Sequence, residues 1–316
     1  MRAAYAIASD PTNPRSALRV ADRPDLSPPD GWVTVEVRAA SLNQHDIWSL
    51  RGVGLPADRL PMILGCDAAG VDQDGNEVVV YPVVPDEADP RGLSLLSERH
   101  PGTLAERVAV PPENLIPKPA GLSFLDAACL PTAWLTAFHM LTTRGRADEC
   151  SAVLVQGAGG GVATAAVALA VAMGKRVYAT SRDPGKRERI AELGAIAVEP
   201  GARLPERVNL VIESVGAPTF DHSMKCCAPG GRIVVCGATG GHLATVDLRR
   251  VFAMRLDILG STMGTAAELA ALLSFLVEND VRPVIDSTYG FSAVADAFAR
   301  LESGDIFGKV AIDFLH

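Results

Sequence analysis

The chain has no surplus of positive charge, no CxxC pair and no long apolar leader, and each absence narrows what it can be. Its formal net charge is −8 at pH 7, whereas proteins that hold a phosphate backbone concentrate lysine and arginine. A nucleic-acid partner is excluded on that ground. Lysine is scarce beside arginine, which codon bias accounts for. The six cysteines, 66, 129, 150, 226, 227 and 236, make no framework suited to a small secreted domain; they imply a reduced, cytoplasmic protein. Met1 opens into "MRAAYAIAS" without the apolar core of a signal peptide. The uncharged run Ser151 to Gly174 is long enough to cross a bilayer. Its glycines at 157 and 159–161 instead predict a strand, a turn and a helix, and no membrane association is expected. Internal repeats and low-complexity tracts are also missing.

What is present is an ordinary globular composition, 48% hydrophobic and 21% charged over 316 residues, a length that suits two domains. The first third is rich in proline and alternates. "GWVTVEVRAASLN" from Gly31 predicts a strand with Val33, Val35 and Val37 on one face, and "NEVVVYPVV" and "GTLAERVAVP" predict further strands. This β-rich region is expected to end near "PPENLIPKPAGLS", 111–123. An Ala-rich helical pattern follows from Phe124 to about Met140. Beyond it, apolar strands alternate with helices through "GRIVVCGATG", 231–240, the pattern of a parallel sheet covered on both faces. The helix "AAELAALLSFLVEND" and a tail with one more helix and a closing strand complete the chain. The fold class is therefore α/β, a β-rich domain joined to a doubly wound one.

The stretch "VLVQGAGGGVATAAVALA", Val153 to Ala170, carries the strongest chemical signal. An apolar strand feeds a glycine turn that opens directly into a helix of small residues. Such a turn brings backbone amides up to a pyrophosphate at a helix N-terminus. Ala158-x-Gly160-x-x-Ala163 is a softened G-x-G-x-x-G in the right context, so Gly159, Gly160, Gly161 and Val162 are candidate cofactor contacts, with Gly237 beside them. The next strand ends in "VYATSRDPGKRER". An acid there would hold a ribose 2′-hydroxyl; this chain offers Ser181, Arg182 and Lys186, with Arg187 beyond. A hydroxyl and cations suit a 2′-phosphate, which selects NADP(H) over NAD(H). Asp183 falls one residue late and is expected to begin the next helix.

Taken with "AASLNQHDIWSLRG" (39–52), "LGCDAAGV" (64–71), "GTLAERVAVP" (102–111) and "LPTAWLTAFHML" (130–141), this turn resembles the medium-chain dehydrogenase/reductase superfamily, in its zinc-free quinone oxidoreductase-like branch. The resemblance covers nearly the whole chain. It implies a GroES-like catalytic domain over 1–121 and 264–316 and a Rossmann NADP(H)-binding domain over 122–263. Zinc-dependent members hold their catalytic metal at positions that fall here on Asn43, Cys66 and Thr132. These residues make a poor zinc site, and the cysteine lobe of a structural zinc is missing from 81–102; no metal is expected. An unconventional site drawn from His45, Asp46, Cys66, Asp67 and His100 is the competing reading. The resemblance further implies that Asn43 orients cofactor or substrate, that Trp48 lines the substrate pocket, that Thr136 lies near the nicotinamide, and that Asp46 is structural. It implies a homodimer formed along the last Rossmann strand, "LDILGSTMG". Without a Lewis acid, hydride addition to a quinone or an α,β-unsaturated carbonyl is the accessible chemistry, because the developing charge spreads over a conjugated system. No dedicated acid is expected; solvent protonates the enolate. Two other readings stand beside this one: an alcohol dehydrogenase with a rebuilt metal site, and a cofactor-binding protein with little turnover.

Overall fold

A computed structural model describes residues 1–315, which divide into two compact units. The first comprises Met1–Thr132, Thr265–Glu278 and Ile285–His316, and the second Ala133–Gly264 and Asn279–Val284. Among the described residues no helix is long and apolar enough to cross a membrane.

The first unit is built on the strand Val33–Leu42, whose alternating valines bury one face as the period-2 pattern requires. It pairs antiparallel with Asp67–Asp72, Lys309–Asp313 and Arg107–Val110 in a seven-stranded sheet. Two registers matter for the site: Ser41 lies opposite Asp67, and Leu42 opposite Val310. They bring the chain after position 40, the turn at 66–67 and the C-terminal strand to one end of the sheet. The helix Val294–Glu302 buries Val294, Ala297, Phe298 and Leu301, an i, i+3, i+4, i+7 stripe that joins Val35, Leu42, Ile47 and Ile312 in the core. "GTLAERVAVP" is a strand only over Arg107–Val110. Its first residues lie against 63–65 instead, through Gly102 N–H to the Ile63 carbonyl (2.9 Å) and Leu104 N–H to the Leu64 carbonyl (2.8 Å). A side chain at 102 would collide with the Leu64 carbonyl.

The second unit carries a six-stranded parallel sheet in the order Ile196–Val198, Arg176–Thr180, Ala152–Val155, Val208–Glu213, Cys227–Val235 and Asp257–Gly260. In chain order this is 3-2-1-4-5-6, the doubly wound arrangement of dinucleotide-binding domains. Ser151 to Gly174 folds as the expected strand, turn and helix, Ala152–Val155 and Gly161–Ala172. Helix Gly161–Ala172 is buried almost all round, as its uniformly apolar sequence requires.

The Ala-rich stretch after Phe124 departs from a simple helix. Phe124–Ala128 is helical, capped by Ser123, but Leu130–Trp134 and Met140–Arg144 are π-helical turns flanking Leu135–His139. Residues 122–132, expected with the second domain, pack in the first unit. The Ser41 hydroxyl reaches the Ala128 carbonyl at 2.8 Å, and Thr132 reaches Asp67; these bonds fix the segment there.

Candidate functional site

In the second unit the glycine turn leaves the first strand at its C-terminal end. Gly157 has φ +66°, and a Cβ there would strike the Val215 side chain, so glycine at 157 is demanded by the fold itself. Gly160 is different. It caps the helix with no side-chain hydrogen bond, its φ of −79° suits any residue, and a Cβ would meet nothing within 4 Å. Packing does not require glycine at 160; the open space there and the helix N-terminus at Gly161 and Val162 are of the kind that could hold an anion. Gly159 lies buried in the same turn, and Gly237 is half-buried just past the strand Cys227–Val235, beside the Ser214 carbonyl.

Past the second strand, Ser181 is nearly buried and Arg182 exposed. The Arg182 guanidinium has no partner among the described residues. Asp183 is the N-cap of Pro184–Glu192 and accepts from the Lys186 N–H at 3.0 Å. One of its carboxylate oxygens is therefore engaged by the helix. Arg187 is spent as well: it donates to the Ser181 and Arg182 carbonyls at 2.9 and 3.1 Å and pairs with Glu199. Ser181 and Arg182 stand at the end of this strand, beyond the turn, with the partly exposed Lys186 in the first turn of the helix that follows. Thr136 is nearly buried on Leu135–His139, with its hydroxyl 3.8 Å from the Met263 sulfur.

In the first unit the two strand registers assemble a buried polar cluster around Asp67, which is 0% exposed. One carboxylate oxygen accepts from the Asn43 amide (2.9 Å) and the Lys309 ammonium (3.0 Å), and lies 2.9 Å from the Ser41 hydroxyl, whose one hydrogen is shared between it and the Ala128 carbonyl. The other accepts from Thr132 at 2.5 Å. Lys309, 2% exposed, also donates to the Leu42 carbonyl (2.8 Å) and the Asn43 Oδ1 (2.6 Å), so its three N–H groups are all used. Such saturation is what makes a buried ion pair tolerable. Asn43 and Thr132, singled out as former ligand positions, thus converge on Asp67. Lys309 was not a sequence candidate. Its one signal was a lysine opening the apolar run "KVAIDF", in a chain where lysine is rare.

Next to this cluster, helix Gln44–Leu50 begins at Asn43. The Asp46 carboxylate reaches back to the Asn43 N–H (2.8 Å) and across to the Gly65 N–H (2.9 Å). Burial raises its pKa, while the two amide donors hold it in a purely structural role. His45 lies between Cys66 (Nδ1 to Sγ, 3.5 Å) and Glu98 (Nε2 to Oε1, 3.2 Å). Burial pulls the imidazole down, but the Cys66 sulfur, the Glu98 carboxylate and Asp46 outweigh it and hold His45 well above its usual value. Burial pushes the Cys66 thiol up, against the pull of His45. Trp48 is 39% exposed, with the Arg51 guanidinium stacked 5.1 Å from its ring centre.

A zinc ion does not fit these residues. Among the described residues no group of three or more His, Cys, Asp or Glu is placed to hold a metal. His45 meets Cys66 and Glu98 from opposite ring nitrogens, so the three cannot converge on one ion. His100 instead packs against Trp32, ring centres 4.7 Å apart. Asp67, the remaining hard donor, is saturated by Lys309 and three neutral donors.

Comparison with known proteins agrees with this architecture. Residues 29–120 match the family described as alcohol dehydrogenase GroES-like domain, and 161–278 that described as zinc-binding dehydrogenase. The chain is 33% identical to 2-methylene-furan-3-one reductase of Solanum lycopersicum, over 92% of this chain and 73% of that protein. It is 26% identical to acryloyl-coenzyme A reductase of Sulfurisphaera tokodaii, over 95% of this chain and 97% of the other. A crystal structure named NAD-dependent alcohol dehydrogenase superposes with a TM-score of 0.88 at 33% identity, covering 99% of each chain.

Proposed function

Because the chain belongs to the medium-chain dehydrogenase/reductase superfamily, a family of oxidoreductases, we propose that it is an NADP(H)-dependent, zinc-independent reductase of α,β-unsaturated carbonyl compounds and quinones. The observation that carries this reading is the closed cluster of Asp67, Asn43, Thr132 and Lys309. A buried ammonium is the cation there, and it has no N–H left for a substrate oxygen. Polarising an isolated alcohol or aldehyde calls for a Lewis acid; a conjugated acceptor spreads its developing charge and needs only a few donors. The reductase names of the two relatives support the same substrate class.

NADP(H), when bound, supplies the hydride. The chain's part is to hold and orient. The turn Gly159–Gly160–Gly161 and the Val162 amide take the pyrophosphate, with Gly237 alongside. Ser181, Arg182 and Lys186 take the 2′-phosphate, since the guanidinium of Arg182 is exposed and without a partner among the described residues, and the carboxylate next to it, Asp183, caps the following helix. Asn43 is assigned to orienting cofactor or substrate and Thr136 to the nicotinamide, and the Trp48 face offers a stacking surface to a planar acceptor. Water protonates the reduced acceptor. Among the described residues the strand Asp257–Gly260 pairs with another strand on one side only and exposes Ile258; we assign it to pairing with a second copy across a two-fold axis. Six free thiols fit a reducing, cytoplasmic compartment.

NADPH consumption by the purified protein tests the reading, using a cyclic enone, an enoyl thioester, a naphthoquinone, and a primary alcohol with NADP⁺. Turnover of the conjugated acceptors with NADPH, at least tenfold better than with NADH, is expected. Oxidation of the alcohol, a preference for NADH, or cofactor binding with no turnover on any acceptor contradicts it.

A further inference from the structure

Two opposite charges hold the Asn43 side chain. Lys309 carries donors only, and the Asp67 carboxylate paired with it carries acceptors only. The amide oxygen must therefore face Lys309 (2.6 Å) and the amide nitrogen Asp67 (2.9 Å). The flipped amide would set oxygen against carboxylate and N–H against ammonium. An orientation that neutral neighbours leave open is here decided by charge. The amide nitrogen has two hydrogens. Asp67 takes one, and among the described residues the other has no partner. Asn43 is 8% exposed, so this second N–H is a nearly dry, fixed donor.

We propose that the Lys309–Asp67 pair is a positioning device that presents the second Asn43 N–H as the hydrogen-bond donor to the carbonyl oxygen of the substrate. The proposal rests on the reductase reading above and names the group that meets the developing negative charge. Lys309 cannot do this itself, because Leu42, Asn43 and Asp67 consume its three N–H groups; it acts through Asn43. The donor costs little reorganisation during reaction, since the ion pair has set its direction beforehand.

The test exchanges the two side chains. In the double variant N43D/D67N the total charge is conserved and Lys309 keeps a carboxylate partner, but position 43 has lost its donor. Wild type with NADPH and a cyclic enone is the control. The double variant is expected to melt within a few degrees of wild type and to bind NADPH within twofold of it, with kcat for the enone about 100-fold lower, the scale of losing one oxyanion donor. KM is expected to change little, the signature of a contact made in the transition state. A folded double variant with kcat within threefold of wild type overturns the proposal and leaves Asn43 a structural residue. If the double variant does not fold, Asn43→Ser and Asn43→Ala decide: the shorter donor is expected to retain at least tenfold more kcat than alanine, and equal rates overturn the proposal. For the positioning role, K309M/D67N, which removes both charges and frees the amide to turn, is expected to lower kcat at least tenfold at unchanged KM; an unchanged kcat overturns it. A wild-type protein inactive on every conjugated acceptor defeats the reductase reading itself, and the proposal with it.

Discussion

Replacing Lys309 by methionine removes the only cation from the Asp67 cluster while keeping a side chain of similar length. The Asp67 carboxylate stays buried with three neutral donors, and the Leu42 carbonyl and the Asn43 amide oxygen each lose the donor they had. Breaking a buried ion pair from one side typically costs about 3–5 kcal/mol, and orphaned buried acceptors about 1–3 kcal/mol each. These terms share one site and do not add, so a loss of about 4 kcal/mol is expected for K309M, a large part of a stability of about 5–15 kcal/mol. Adding Asp67→Asn removes the uncompensated charge, and K309M/D67N is expected to recover about 2 kcal/mol of the loss. Urea unfolding followed by tryptophan fluorescence measures both. Trp32 and Trp48 lie in the first unit and Trp134 in the second. A Trp134→Phe background, which also removes a buried indole N–H lacking a partner, confines the signal to the unit under test. A K309M loss below about 1 kcal/mol, or a double variant no more stable than the single, refutes the view that this pair is buried and mutually dependent.

Arg182→Ala is expected to raise KM for NADPH about tenfold or more and leave KM for NADH within twofold, since the proposed role of that guanidinium is to hold the 2′-phosphate alone; parallel changes for both cofactors count against the assignment. Gly160→Ala is expected to unfold at the wild-type denaturant concentration yet bind NADPH at least tenfold more weakly, because a methyl at 160 touches no protein atom and fills the pyrophosphate cradle; equilibrium binding by NADPH fluorescence decides it. Asp286 accepts from Arg300 at 2.9 and 3.0 Å and from the Phe307 N–H at 2.9 Å. Burial opposes its charge, but these bonds outweigh burial and lower its pKa below the ordinary 3.8. Its stabilisation is therefore complete above that value and lost as the pH falls through the folded-state pKa. Asp286→Asn is expected to cost about 1–3 kcal/mol at pH 7, with the gap to wild type closing as pH drops below 4 in urea titrations.

The fold of the second unit was legible because its determinants are local. The glycine turn, the strand before it and the helix after it lie within the single stretch Ala152 to Ala172. Asp183 was likewise readable as a helix start from its place before Pro184. The buried polar cluster around Asp67 was only half legible. Asn43, Cys66 and Thr132 are marked by motif, but what they surround is decided by strand register: Lys309 joins Asn43 across 266 positions of sequence and neither residue's neighbourhood announces the other. The π-helical turns around Thr132 and Thr142 were hidden for a related reason. Their spacing differs from an α-helix by one residue per turn, which an alanine-rich stretch conceals. Arg187 illustrates the opposite error of promise: its place in "GKRER" suits a phosphate, while its guanidinium is engaged by two carbonyls and Glu199.

The most direct test of the account is elemental analysis joined to activity. Protein purified without chelator, then dialysed against a strong zinc chelator, is assayed with NADPH and a cyclic enone before and after, and its zinc content is measured by mass spectrometry. Far less than one zinc per chain and an unchanged rate are predicted. One zinc per chain whose removal abolishes turnover contradicts the account.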